Sequence, residues 1–206
     1  MSKVSWKLKK LSLVKTYEGL SEEIRPKVAP GIYKAEIKYN NATEVSEFLV
    51  SGDYRIEMPV ENYKLKSEAL VSLRDLQNHT HKLIENILFI EEQIEALAIK
   101  LKVVSSKDLP KLERLHNKIK IFKDDHLMRP PPSMSYRQKP RLKEEIKTLM
   151  RAIDNTTNPP TIPQQERIKS LKQELDVHLR KMEDFKVSIN QISSSHSSLP
   201  QIIMND

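Results

Sequence analysis

Leu73, Leu76, Thr80, Leu83, Ile87, Ile90, Ile94, Leu97 and Leu101 follow one another at alternating steps of three and four residues, without a break. No other feature constrains the fold of this chain as strongly. A three-four repeat lays one apolar seam along an α-helix, and a seam sustained over several heptads marks helix-on-helix packing of the coiled-coil kind. It predicts a helix from near Asn62 to near Val103, ~60 Å long at a rise of about 1.5 Å per residue. Thr80 is the polar member of the seam. A threonine hydroxyl there can bond to its own helix backbone, so it predicts a local loosening of the core and not a site.

The rest of the C-terminal half repeats the pattern. Ser105–Ser106 reads as a break and a new N-cap, with Pro110 in the first turn. A second helix carries Leu112, Leu115, Ile119 and Phe122 and stops before Pro130–Pro131–Pro132, which cannot continue a helix. A third begins near Pro140 and turns Leu142, Ile146, Leu149 and Ile153 to one side. Pro159 and Pro160 then force an extended link, Thr161 is placed to cap, and Pro163 falls in a first turn where its missing N–H costs nothing. The fourth seam is Ile168, Leu171, Leu175, His178, Met182, Phe185, Ile189 and Ile192. Short connections between such helices predict an antiparallel three- to four-helix bundle over residues 59–198, followed by a tail at 199–206.

Before this bundle the period is two. Val4, Trp6 and Leu8 alternate with polar residues, as do Tyr33, Ala35, Ile37 and Tyr39. Pro30–Gly31 marks a turn into the second strand, Asn40–Asn41 a turn out of it, and Thr43 to Val50 a return strand. Residues 1–58 are therefore expected to form a partial β-sandwich-like segment of two or three strands, with Trp6, Tyr33, Ile37 and Phe48 as its core. So small a sheet needs another layer to cover its apolar face. The fold class is α+β, a short antiparallel segment of immunoglobulin or fibronectin type followed by the helical bundle.

Several chemistries have no residues to carry them. Three glycines, at positions 19, 31 and 52, allow no Gly-rich phosphate loop, and the absence of cysteine removes disulfides, thiolate metal sites and cysteine nucleophiles. The net charge of +7 is spread along the chain: residues 1–60 hold ten Lys/Arg against eight Asp/Glu, and residues 61–206 hold 25 against 20. Nucleic-acid binding needs a clustered basic stripe, and only Arg129 to Lys147 is locally basic, so none is expected. No stretch reaches the ~20 apolar residues of a membrane span, and the basic N-terminus lacks the apolar core of a signal peptide. His79 and His81 are two apart, so they face different sides of a helix and do not share a metal. His178 lies on the fourth seam with Glu174 four residues before it, whereas di-iron bundles repeat a Glu-x-x-His spacing on two helices. Catalytic, cofactor-binding and metal residues are therefore expected to be absent, and no cofactor is assigned. Asn41, Asn78 and Asn155 begin glycosylation-acceptor patterns too short to carry weight.

The order of short motifs along the chain resembles the C-terminal region of BNR/Asp-box repeat proteins, the sialidase-like and sortilin-like β-propeller family often labelled glycosyl hydrolases. A V-x-W-D-L-R strand of that family is matched by Val4, Trp6, Leu8 and Lys9, with Lys7 in place of the aspartate. V-x-P-G-x-Y-x-V-x-L is matched by Val28, Pro30, Gly31, Tyr33, Ala35 and Ile37. Asp53 and Arg55 stand where a D-P-R signature closes the last strand, with Tyr54 in place of proline. Pro159, Pro160, Thr161, Gln164 and Glu166 resemble a P-P-T-x-x-Q-x-E stretch in the helical region. No Asp-box is present, so the resemblance implies an accessory tail without its propellers: a fragment, a split gene or a truncated relative. It implies a propeller domain or another protein as partner. It also implies a secreted or periplasmic location if the chain belongs to a longer, signal-bearing protein.

The expected function is thus that of a non-catalytic structural and interaction module, monomeric in solution. The alternatives are a free-standing coiled-coil adaptor or oligomeriser, and a glycoside hydrolase by family label only. A hydrolase needs two carboxylates facing each other across a cleft, and the sequence proposes no such pair.

Overall fold

The computed structural model describes residues 5–10, 13–16, 28–39, 42–104, 107–130, 138–195 and 203. The architecture is α+β. Four strands, β1 (Ser5–Lys10), β2 (Leu13–Thr16), β3 (Gly31–Tyr39) and β4 (Ala42–Val50), precede four helices, α1 (Val60–Val104), α2 (Leu109–Phe122), α3 (Leu142–Asp154) and α4 (Ile162–Ser194). The chain divides into two compact units. Met1–Val71 with Met150–Thr161 make the first, and Ser72–Leu149 with Ile162–Asp206 make the second. The first unit is thus larger than the strand region alone.

In the first unit the strands form one antiparallel sheet in the order β2-β1-β3-β4. Trp6 pairs with Ile37 across β1 and β3, and the β3–β4 hairpin runs in continuous register from Gly31 opposite Val50 to Tyr39 opposite Ala42. Period-two alternation makes these strands. Gly31 opens β3 at φ 155°, a value that glycine reaches without a Cβ penalty. Tyr33 is buried, donates its hydroxyl to the Ala29 carbonyl at 2.5 Å, and stacks on Phe48 with ring centroids 6.2 Å apart. Strand β2 was not expected, because its four residues are too short to show a period.

The sheet departs from the expected core. Tyr33 is buried, but Ile37 is 37% and Phe48 39% exposed. The side chain of Trp6, the turn at Asn40–Asn41, and Val4 lie outside the described residues. A sandwich core needs a second sheet stacked on the first. Among the described residues there is one sheet only, and Ile37 and Phe48 keep the exposure that an uncovered layer leaves them.

In the second unit the α1 seam is buried at every position, from Leu73 to Leu101. Thr80 is buried with it and donates its hydroxyl to the Leu76 carbonyl at 2.8 Å. Lys123 reaches back to Glu91 at 2.6 Å, which folds the segment after α2 against α1. The cap of α2 is Asp108, not Ser105 or Ser106, which lie outside the described residues. Asp108 makes no side-chain cap bond and instead meets Lys111 at 2.8 Å, so Pro110 carries most of the start signal. After α2 the helix widens into a five-residue π-turn, Lys123–Leu127. In α3, whose residues from Met150 on belong to the first unit, the buried positions are Leu142, Ile146, Met150 and Ile153, so Met150 takes the place expected of Leu149.

On α4 the buried stripe runs through Ile189 and then steps to Ser193, leaving Ile192 half-buried. A strict seven-residue repeat drifts by about 20° per heptad around a straight helix. After three heptads a four-residue step brings the stripe back toward the core, and the small serine fits there. The start of α4 follows the sequence: the helix begins directly after Thr161, with Pro163 in its first turn.

Candidate functional site

Three arrangements merit a functional reading, two in the first unit and one in the second. The first is the outer surface of the hairpin. β4 is an edge of the sheet, and all of Ala42 to Leu49 is exposed. On one face Ile32 sits directly opposite Leu49, with Val45 further along the same face, and the three are 51%, 69% and 58% exposed. Between Val45 and Leu49, Glu47 forms an ion pair with Lys34 at 2.9 Å. Glu44 stands opposite Ile37 on the other face, the face of Tyr33 and Phe48. Edge strands are normally blunted by proline, lysine or a bulge. β4 has no proline and no lysine, and its register with β3 carries no interruption.

The second arrangement is a cavity of about 510 Å³ bordered by Gly52, Asp53, Tyr63, Lys66 and Asp154 among others. Its polar groups are engaged in holding the unit together. Lys66 donates to the carbonyls of Asp154 at 2.8 Å and Thr156 at 2.5 Å, satisfying the C-terminal end of α3 as a cation there should. Arg55 grips Asp53 through its backbone N–H at 3.0 Å, Nε at 2.9 Å and Nη2 at 2.7 Å, and these bonds hold the Asp53 carboxyl below the usual carboxylate range. The Asp53–Tyr54–Arg55 stretch is thus a self-contained turn. A Cβ at Gly52 would stand 3.1 Å from the Tyr63 hydroxyl, so the close approach of this loop to α1 favours glycine.

The third is a cluster of rings in the second unit. His178, Phe122, His126 and Phe185 pack with Phe122 at 5.3 Å from His178 and 5.6 Å from Phe185, and with the two imidazoles 5.4 Å apart. His178 is buried, its Nε2 has no hydrogen-bond partner, and Glu174 lies 3.7 Å away. Burial pushes the His178 imidazole below its ordinary value; Glu174 pulls it up and His126 adds to the lowering. The arrangement serves packing, with a titratable ring inside it.

The residues weighed as ligands in the sequence do not converge. His79 Nδ1 is 2.8 Å from the Asp75 carbonyl, and His81 is 3.3 Å from Glu85. Glu113 and His116 stand three apart on α2, a pair that the sequence reading passed over, but Glu113 is exposed. Among the described residues no three His, Asp or Glu side chains gather to hold a metal. In the basic stretch from Arg129, Arg129 pairs with Glu144 at 2.6 Å and Arg141 donates to the Asp124 carbonyl at 2.7 Å, while Lys139, Lys143 and Lys147 are exposed. Arg167 of α4 closes on Glu145 of α3. Asn78 and Asn155 are exposed, and Asn41 lies outside the described residues. No helix among the described residues is long and apolar enough to cross a membrane.

Comparison with family models, with curated proteins and with solved structures found no match to this chain.

Proposed function

We propose that the chain is a non-catalytic structural and interaction module, in which the helices form the scaffold and the hairpin presents the contact surface. The observation that carries this reading is the uninterrupted nine-residue edge strand β4, with Ile32, Val45 and Leu49 exposed together on one face. Scattered exposed apolar residues are ordinary, but the Ile32–Leu49 cross-strand pair, with Val45 beyond the Lys34–Glu47 ion pair, lies beside a backbone edge that no described strand covers, and this favours a surface that other protein covers. The α1 seam supports the monomeric form of the module. Its residues are buried within a single chain, so they do not call for the second chain of a coiled-coil adaptor. In the same reading the covering protein is β-rich, as in the BNR/Asp-box arrangement that the motifs resemble.

The test has two parts. The purified chain should bind an apolar-surface dye at neutral pH, and Ile32→Lys with Leu49→Lys should abolish most of that binding without loss of helicity. It should also leave sialosides and other glycosides intact. Turnover that survives re-purification and disappears on a single Asp or Glu substitution would replace this reading with an enzymatic one.

A further inference from the structure

We propose that the outer edge of β4 receives an extended, cationic strand from another protein, with two Lys or Arg residues three positions apart. The inference rests on the interaction-module reading and deepens it by specifying the partner's chemistry.

The argument begins with backbone geometry. Among the described residues β4 pairs with β3 on one side only, and no described strand meets the alternate N–H and C=O groups along its other side. Strand addition satisfies such groups, and side-chain complementarity then selects the partner. The side chains of β4 state what that complement is. Its charged residues are Glu44 and Glu47, and it has no Lys or Arg. They lie on opposite faces of the sheet, each among apolar groups: Glu47 between Val45 and Leu49, Glu44 on the face of Ile37 and Phe48.

The sheet already contains one instance of the expected pairing. On the inner side, Lys34 of β3 lies directly opposite Glu47 and pairs with it at 2.9 Å. A strand on the outer side does the same where it places a cation opposite Glu47, a second opposite Glu44, and β-branched or aromatic residues opposite Val45 and Phe48. Cross-strand pairs of opposite charge stabilise a ladder, and like charges oppose it.

This chemistry disfavours a second copy of the chain. An antiparallel β4–β4 pairing centred on Ser46 sets Glu44 against Phe48 and Glu47 against Val45, and one centred on Glu47 sets the two Glu47 carboxylates directly against each other. Either register gathers four carboxylates at the seam, and neither copy's β4 supplies a cation.

The experiment uses the intact chain and a fluorescent nine-residue peptide antiparallel to Val50–Ala42. The peptide carries Lys opposite Glu47 and Glu44 and Val, Thr and Phe elsewhere. A matched peptide with Glu at the two Lys positions is the control. The lysine peptide should bind saturably by anisotropy, weaken as salt is raised, and lose affinity about tenfold against Glu44→Lys. The glutamate peptide should bind the unaltered chain about tenfold or more weakly and recover against Glu44→Lys. Equal binding of the two peptides would overturn the cationic partner while leaving the docking surface standing. Binding of neither would remove both, as would a β4-mediated dimer in sedimentation that excludes the peptides.

Discussion

The helical seams and the hairpin were written with equally plain periodicity, yet they come to opposite ends. Every seam position of α1 from Leu73 to Leu101 is buried, whereas Ile37 and Phe48, which the two-residue period assigns to a core, are more than a third exposed. The difference lies in what each pattern requires. A helical seam is buried once neighbouring helices of the same chain pack on it, and this chain supplies them. A sheet face needs a whole second layer, and the described residues supply one sheet. Periodicity reports which face is apolar; it does not report whether anything covers that face.

The contrast is broken or sharpened most strongly by truncating its buried side. Leu83→Ala and Ile87→Ala should each destabilise the chain by about 2–5 kcal/mol in denaturant unfolding, the usual cost of a cavity left by a buried aliphatic side chain. Phe48→Ala, on the half-open sheet, should cost about 1–2 kcal/mol, since much of its ring already meets water. If Phe48→Ala matched Ile87→Ala, the sheet would be as closed as the bundle, and the comparison would fail.

Tyr33→Phe tests the part of the hairpin that is closed. The Tyr33 hydroxyl is buried on the Ala29 carbonyl, so its loss should cost about 1 kcal/mol, in the range of one hydrogen bond with its acceptor left unpaired. That loss should appear as faster amide exchange near Ala29 and through β3.

The ring cluster gives a pH signature for the helical side. His178 has its imidazole lowered by burial, with Glu174 opposing this and His126 reinforcing it. The unfolded chain therefore takes up the His178 proton more readily than the folded one. Its stabilising share is fully present above the ordinary imidazole value, near pH 6.5, and is lost as pH falls below that value towards the lowered folded one. Melting temperature should fall between pH 7.5 and pH 5, and His178→Leu should flatten that dependence. An unchanged slope in the variant would place the acid sensitivity elsewhere. Lys82→Ala, exposed beside the seam, should stay within ~0.5 kcal/mol and sets the floor for the series.

Much of the fold was legible. The α1 seam, the Pro163 start of α4 and the β3–β4 hairpin follow from spacing, because period and punctuation are local properties. What was not legible depends on neighbours. Ser193 replaces Ile192 because a real helix drifts from a strict heptad, and in α3 Met150 is buried in place of Leu149. Asp108 stands at the cap position of α2, where it makes no side-chain cap bond. Of the candidate site, the residues of β4 were visible, but their standing at a sheet edge was not. Strand order is a long-range property, and nothing in Ala42–Val50 says that its second side is unpaired.

Amide hydrogen exchange on the intact monomeric chain, read residue by residue, tests the central contrast most directly. A closed helical scaffold and a sheet with an open edge predict slow exchange, near the global unfolding limit, for Leu83 to Leu97 and for Leu171 to Phe185. They predict alternating, much weaker protection along Ala42 to Val50, where one side of each peptide pair lacks a strand. Uniform strong protection across β3 and β4, equal to that of the helices, would mean that the first unit is a completed domain, and the open docking edge would have to be given up.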